Sequence, residues 1–296
     1  MAARALLATL FIACLAVVAL RAGEDFDDLK IEKALAGYRF TEGPAWSRDG
    51  FLVLCDVPSN RMIKWVPGQK PEPYREDTGG ACGAAFDVQG RLYICESRSR
   101  RVVRLDKYGH AEVLAERFEG KRLNAPNDIA VRKDGNAYFT DPAFGAQSDT
   151  RELSFFGVYR ISPKGELEVI AKPRGRPNGI ALSANGRTLY VSNSDERNVR
   201  AYDLDRSGAA SNERVAISGI EGVPDGIRLD EKNNVYVAAR HVDIFSPNAK
   251  LLHSIELSEK PSNLAFGDAD FETLYVTART SVYRVRVGIK GAVQHQ

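Results

Sequence analysis

Apolar and polar positions along this chain alternate in short runs with the period of two that marks half-buried β-strands, and no long stretch repeats at the helical period. The clearest runs are Phe51-Leu-Val-Leu-Cys55, Arg91-Leu-Tyr-Ile-Cys95, Asn136-Ala-Tyr-Phe-Thr140, Thr188-Leu-Tyr-Val-Ser192, Asn234-Val-Tyr-Val-Ala238 and Thr273-Leu-Tyr-Val-Thr277, all rich in β-branched and aromatic residues. Ahead of each lies another short apolar strand opened by a small or polar residue: Glu42, Cys82, Asn127, Asn178, Asp225 and Ser262. Asp49-Gly50, Gln89-Gly90, Asp134-Gly135 and Asn185-Gly186 separate the paired strands and supply the positive φ that hairpin turns require. A third strand follows, as in Met62-Ile-Lys-Trp65 and Val158-Tyr-Arg-Ile161, and a shorter fourth fits in most units.

Six units repeating about every 40–50 residues predict an all-β, six-bladed β-propeller. A solenoid repeats at shorter intervals, and a β-sandwich has no reason to repeat one motif six times. The last unit is short, because little chain follows its third strand near Val287. The stretch from Leu29 to Ala36 is the natural donor of the missing outer strand, so the N-terminal strand is expected to close the ring.

Composition agrees with a folded chain: of 296 residues, 44% are hydrophobic and 27% charged. Forty-one basic residues against 39 acidic ones exclude nucleic-acid binding by bulk charge. Arg4, the apolar run Ala5 to Leu20 and the acidic residues from Glu24 read as a signal peptide over residues 1–22, cleaved after Ala22. Residues 23–296 would then be one exported propeller domain, periplasmic or secreted, with no stable membrane association after cleavage. An uncleaved anchor is the alternative, although sixteen apolar residues fall short of the ~20 that span a bilayer.

In a propeller the innermost strands line the central channel, so the six opening residues should converge on one mouth. Glu42, Asn127, Asn178 and Asp225 offer two carboxylates and two amides, hard oxygen donors whose charge balances a divalent cation. Calcium fits best, magnesium and manganese are alternatives, and zinc would usually want more His and Cys. A hydrated polar channel is the bland reading. Asp56, Glu96, Asp141 and Asn193 end the second strands, which return to the same face, where they would orient ligands or touch substrate, or merely cap turns. His241 is the one histidine placed at this face; His110 and His253 fall in outer strands or turns, and His295 in the tail. Arg98, Arg100, Arg101 and Arg104 read as a solvated blade edge from which Arg98 could reach an anionic sugar acid. No Gly-x-Ser-x-Gly elbow, His-Glu-x-x-His or phosphate loop is present.

Phe40-Thr-Glu-Gly-Pro-Ala-Trp46, Asn124-Ala-Pro-Asn-Asp-Ile129, Tyr138-Phe-Thr-Asp-Pro142, Arg176-Pro-Asn-Gly-Ile-Ala-Leu-Ser183, Pro224-Asp-Gly226 and Tyr275-Val-Thr-Ala-Arg-Thr-Ser281 resemble the gluconolactonase branch of the SMP-30/gluconolactonase/luciferin-regenerating family, from about residue 30 to 288. The resemblance implies a six-bladed propeller with calcium or another divalent metal in its channel, and hydrolysis of sugar-derived lactones, with organophosphate esters taken by relatives. It also implies that Glu42, Asn178 and Asp225 bind metal, that Asn127 binds metal or substrate, and that Asp225 is the catalytic base; a carboxylate bound to a cation is a weak base, so a metal-bound water or Asp141 is the alternative that would share that role. Cys82 and Ser97 depart from the family pattern, where asparagine and histidine are common.

The expected function is therefore metal-dependent hydrolysis of a small lactone. The candidate substrate-contacting residues are Asn127, Cys82, Glu96, Asp141, Ser262 and His241. A non-catalytic propeller with a structural metal and a phosphotriesterase-like hydrolase are the alternatives. For the cysteines, a hairpin turning over Asp87 to Gly90 would pair Phe86 with Arg91 and set Cys82 opposite Cys95. Opposed Cβ atoms lie ~4.5–5.5 Å apart, beyond what a disulfide prefers, so a reduced Cys82 lining the mouth and a free Cys55 are expected.

Overall fold

The computed structural model describes Phe26 and residues 28–295, and the signal-peptide assignment to residues 1–22 lies outside them. Six four-stranded antiparallel sheets form the blades of a propeller. Their inner strands are Thr41–Ser47, Ala81–Phe86, Ile129–Val131, Pro177–Leu182, Ile227–Leu229 and Pro261–Gly267, one from each repeat. Each second strand is buried along nearly its whole length, because its two faces pack against two neighbouring blades. Tyr138 and Tyr236, at the centres of two of these strands, are core residues whose hydroxyls find partners: Tyr138 donates to the Gly208 carbonyl and Tyr236 to Asp230. Among the described residues no helix is long and apolar enough to cross a membrane.

The ring closes as the short last repeat requires. Ile31–Ala36 pairs antiparallel with Ser281–Arg286, from Ile31 opposite Val285 to Ala36 opposite Ser281, and completes the sixth blade. Leu29 packs on the cluster between blades five and six and Leu35 on the one between blades six and one, while Lys33 pairs with Glu259 at 2.9 Å.

The C-terminal tail makes a second closure that the strand pattern did not reveal. Beyond Arg286 the chain passes under the channel on the face opposite the opening residues of the inner strands. Gly291 N–H donates to the Phe271 carbonyl, Ala292 N–H to the Leu229 carbonyl, and the Gln294 amide to the Ser183 carbonyl. His295 ends this strap between Phe86 and Phe271, and burial lowers its pKa to about 4. A small apolar cavity inside the channel is walled by the inner strands and floored by Ala292, Val293, Gln294 and His295.

Two outcomes follow from these closures. A chain beginning at Gly37 loses a paired strand and buried leucine contacts, so it should melt more than about 5 °C below the protein retaining Ile31–Ala36. Near-native melting would contradict the closure. For His295 the neutral ring is the form that docks: its contribution is complete above about 6.5 and is lost as pH falls toward about 4. Wild type should thus lose melting temperature relative to His295→Leu between pH 7 and pH 5, and a constant difference would show that the ring is not docked.

Candidate active site

The channel mouth is assembled by backbone groups before any side chain acts. Gly83 N–H donates to the Asn127 carbonyl (2.7 Å), Gly179 N–H to the Asp225 carbonyl (3.1 Å) and Gly226 N–H to the Ser262 carbonyl (2.8 Å), each bond crossing from one blade to the next. The Thr140 hydroxyl bridges to the Asn178 carbonyl (2.6 Å), and the Ser262 hydroxyl to the Thr41 carbonyl (2.7 Å). This spacing explains the glycines behind the opening residues. A Cβ on Gly83 would lie 2.5 Å from the Asn127 carbonyl oxygen, and one on Gly179 2.4 Å from that of Asp225.

Above this ring lies a pocket of about 370 Å³ lined at its floor by Glu42, Cys82, Asn127, Asn178 and Asp225. The structure therefore brings together five of the six opening residues. Glu42 Oε2 accepts from its neighbour Gly43 N–H (2.9 Å) and from the Asn263 amide (3.1 Å). The Asn178 amide nitrogen donates to the Ser194 hydroxyl (3.1 Å), which orients the side chain, and its buried Oδ1 has no hydrogen-bond partner. Asn127 donates its amide N–H to Cys82 Sγ at 3.6 Å, which spends its donor and not its oxygen.

Electrostatics mark the floor as a place short of positive charge. Burial, and then the charge of Asp225, push the Glu42 carboxyl well above the usual carboxylate range. Burial raises Asp225 to about 7, with Lys260 pulling it down and Asp128 pushing it up. One level down the channel, buried Asp128 has its own counter-ion in Arg228 (3.3 Å), so Glu42 and Asp225 are the carboxylates left to be balanced. Among the described residues no cluster of three or more His, Cys, Asp and Glu side chains is found, so a cation held here would be ligated by amide as well as carboxylate oxygens. An unpartnered buried amide oxygen beside two carboxylates is the donor set that a hard divalent cation fits. The Cys82 thiol, raised by burial and by Glu42, stays protonated at neutral pH and is no nucleophile.

Four expected substrate contacts stand elsewhere. The Ser262 hydroxyl is consumed by the Thr41 and Thr277 carbonyls and the Thr277 hydroxyl, stapling blade six to blade one. Glu96 is fully buried between Arg75 (2.7 Å) and Arg101 (2.5 Å). Asp141 accepts from the N–H groups of Asn124 and Ala125, both at 2.8 Å, just ahead of Asn127; burial nonetheless raises it to about 7. Asp56 does the same for Arg39 and Phe40 ahead of Glu42, at 3.1 and 3.2 Å. These acids aim the strands that carry the floor residues. His241 lies in the turn before Val242–Phe245, outside the pocket lining.

The register of the second blade also differs from expectation. Phe86 pairs with Leu92, and the pairing shifts between Ala81 and Ala84, so Cys82 sits in a bulge and not in a ladder position opposite Cys95. Cys55, Cys82 and Cys95 are all free thiols.

Ser97 and Arg98, both named from the sequence, line the pocket wall, and most of the rest of the wall comes from residues that the sequence pattern did not single out. Phe40, Gly80, Ala125 and Val223 each stand two positions before a floor residue, in the segments that lead into the inner strands. Val57, Ser97 and Ser194 each follow by one the acid or amide that ends a second strand. Phe144 and Gln147 belong to an excursion in blade three that contains the 3₁₀ turn Gly145–Thr150, held by Arg100 on the Thr150 carbonyl at 2.9 Å.

The family model for an SMP-30/gluconolactonase/LRE-like region matches residues 40–280, which include every floor residue. A gluconolactonase of Zymomonas mobilis is 33% identical, across 86% of this chain and 81% of its own. A diisopropyl-fluorophosphatase of Loligo vulgaris is 28% identical, across 80% and 84%. Among solved structures, a gluconolactonase from Xanthomonas campestris superposes with a TM-score of 0.82 at 32% identity, covering 88% of this chain and 90% of its own. The chain belongs to the SMP-30/gluconolactonase/LRE-like family.

Proposed function

We propose that this protein is a lactonase that hydrolyses the ring ester of a small lactone in the pocket above Glu42, Asn127, Asn178 and Asp225, with a divalent cation, calcium by donor chemistry, held by those four residues. The observation that carries this reading is the unpartnered Asn178 Oδ1 beside two under-neutralised carboxylates, in a chain 33% identical to a gluconolactonase. The cation would polarise the lactone carbonyl as a Lewis acid.

The residues divide the remaining work. Asp225, at the floor and partly open to the pocket, is the group placed to take a proton from the attacking water and return it to the ring oxygen as the ester opens. Asp141, whose two oxygens are engaged by backbone N–H groups outside the pocket, is not placed to share that role. Ser194 fixes the Asn178 amide, and Asn263 fixes Glu42. Phe40, Val57, Phe144 and Val223 limit water around the reacting ester. The apolar N-terminal run supports export as the setting in which this takes place.

Purified protein assayed against simple lactones and an aryl phosphotriester, with and without chelator, tests the proposal. The expected result is lactone turnover that chelation abolishes and calcium restores, with kcat reduced about 100-fold or more in Asp225→Asn. Turnover of the phosphotriester alone would favour the alternative hydrolase. No ester turned over with any divalent metal would favour a non-catalytic binding module.

A further inference from the structure

The pocket wall has few polar groups left to offer a ligand. Ser97 donates its hydroxyl to the Pro126 carbonyl at 2.5 Å, and Ser194 donates its own to the Pro224 carbonyl at 2.8 Å while accepting from Asn178. The floor carboxylates and amides are the cation's donors on the reading above. Arg98 and Gln147 are then the wall residues whose polar ends make no side-chain hydrogen bond to the rest of the protein among the described residues. The rest of the wall is Phe40, Val57, Gly80, Ala125, Phe144 and Val223, with Val223 40% exposed.

A sugar lactone brings several ring hydroxyls, each of which needs a partner once water is stripped from it. On this wall only Arg98 and Gln147 have side-chain groups left to supply them. An apolar substituent, by contrast, would cover Phe40, Phe144 and Val223 and remove exposed hydrocarbon from water. Cys82 acts in the same direction, since its weakly polar thiol already takes the Asn127 amide as its partner.

We propose that the preferred substrate is a sparsely hydroxylated lactone bearing an apolar arm, with the arm lying against Phe40, Phe144 and Val223. This rests on the lactonase reading and adds the substrate class to it. Further polar substituents are accommodated only where Arg98 and Gln147 reach them.

The test is a kcat/KM series on the calcium-loaded full chain, comparing glucono-δ-lactone with δ-valerolactone and its 5-methyl, 5-propyl and 5-pentyl derivatives. The expected result is a preference for the alkyl lactones, rising about four-fold per methylene over the first carbons. Phe144→Ser and Val223→Ser, on a loop and at the exposed rim, should each flatten that slope. Hydrolysis of glucono-δ-lactone with a flat or falling alkyl series would overturn this inference alone. An alkyl slope unchanged in both variants would overturn the assignment of the arm to this wall. Hydrolysis of none of the lactones would overturn the lactonase reading and this inference with it.

Discussion

Two carboxylates that the fold forces into one small space govern the rest of this molecule. Glu42 and Asp225 come from blades one and five; burial raises the carboxyls of both, and the charge of Asp225 adds to the cost of ionising Glu42. They are held there by a run of blade-to-blade bonds through Gly83, Thr140, Gly179, Gly226 and Ser262, which leads from blade two through blade six to blade one. The ring therefore cannot relax to separate them without breaking backbone pairing, and a stable protein carries an unmet demand for positive charge. The deeper carboxylate, Asp128, shows how the same chain answers that demand when no ligand is intended: it supplies Arg228.

The demand is set in a pocket of mixed character. Its floor is a set of oxygen donors fixed from behind, by Ser194 on Asn178 and by Asn263 on Glu42. Its walls are largely hydrocarbon, drawn from the residues preceding the inner strands and from the excursion that carries Phe144. On the proposed reading a floor that acts on a polar ester and walls that select an apolar remainder are separable, and relatives named for a sugar lactone and for a fluorophosphate do share this fold family.

Much of this was legible in the sequence because propeller symmetry is written as repetition. Six opening residues aligned by repeat gave five that do meet at the pocket floor, and the short sixth repeat announced the strand from Ile31 to Ala36. The failures have physical causes. Ser262 occupies the right repeat position, but a hydroxyl so close to three oxygen acceptors is used for stapling. Glu96 and Asp141 are one residue out of phase: alternation sends them into the blade and sends Ser97, like Val57 and Ser194, into the pocket. The bulge at Cys82 displaced the register because a hairpin count assumes one-to-one pairing. The tail from Val287 to His295 and the loop bearing Phe144 repeat nothing, so no pattern could point to them.

The account stands on the claim that the Glu42 and Asp225 pair is kept for a cation at the expense of the empty protein's stability. The direct measurement is the melting temperature at pH 8 of wild type and Glu42→Gln, each with chelator and with millimolar calcium. Both folded-state carboxyls are raised, so ionisation of the empty pair destabilises the fold increasingly as pH rises through their range, and pH 8 lies above the value of about 7 for Asp225. With chelator, Glu42→Gln should melt above wild type because it removes one of the two buried carboxyls whose ionisation the fold opposes. Calcium should raise wild type by mass action and raise the variant much less. A variant that melts below wild type with chelator, together with an equal calcium shift in the two proteins, would contradict the claim.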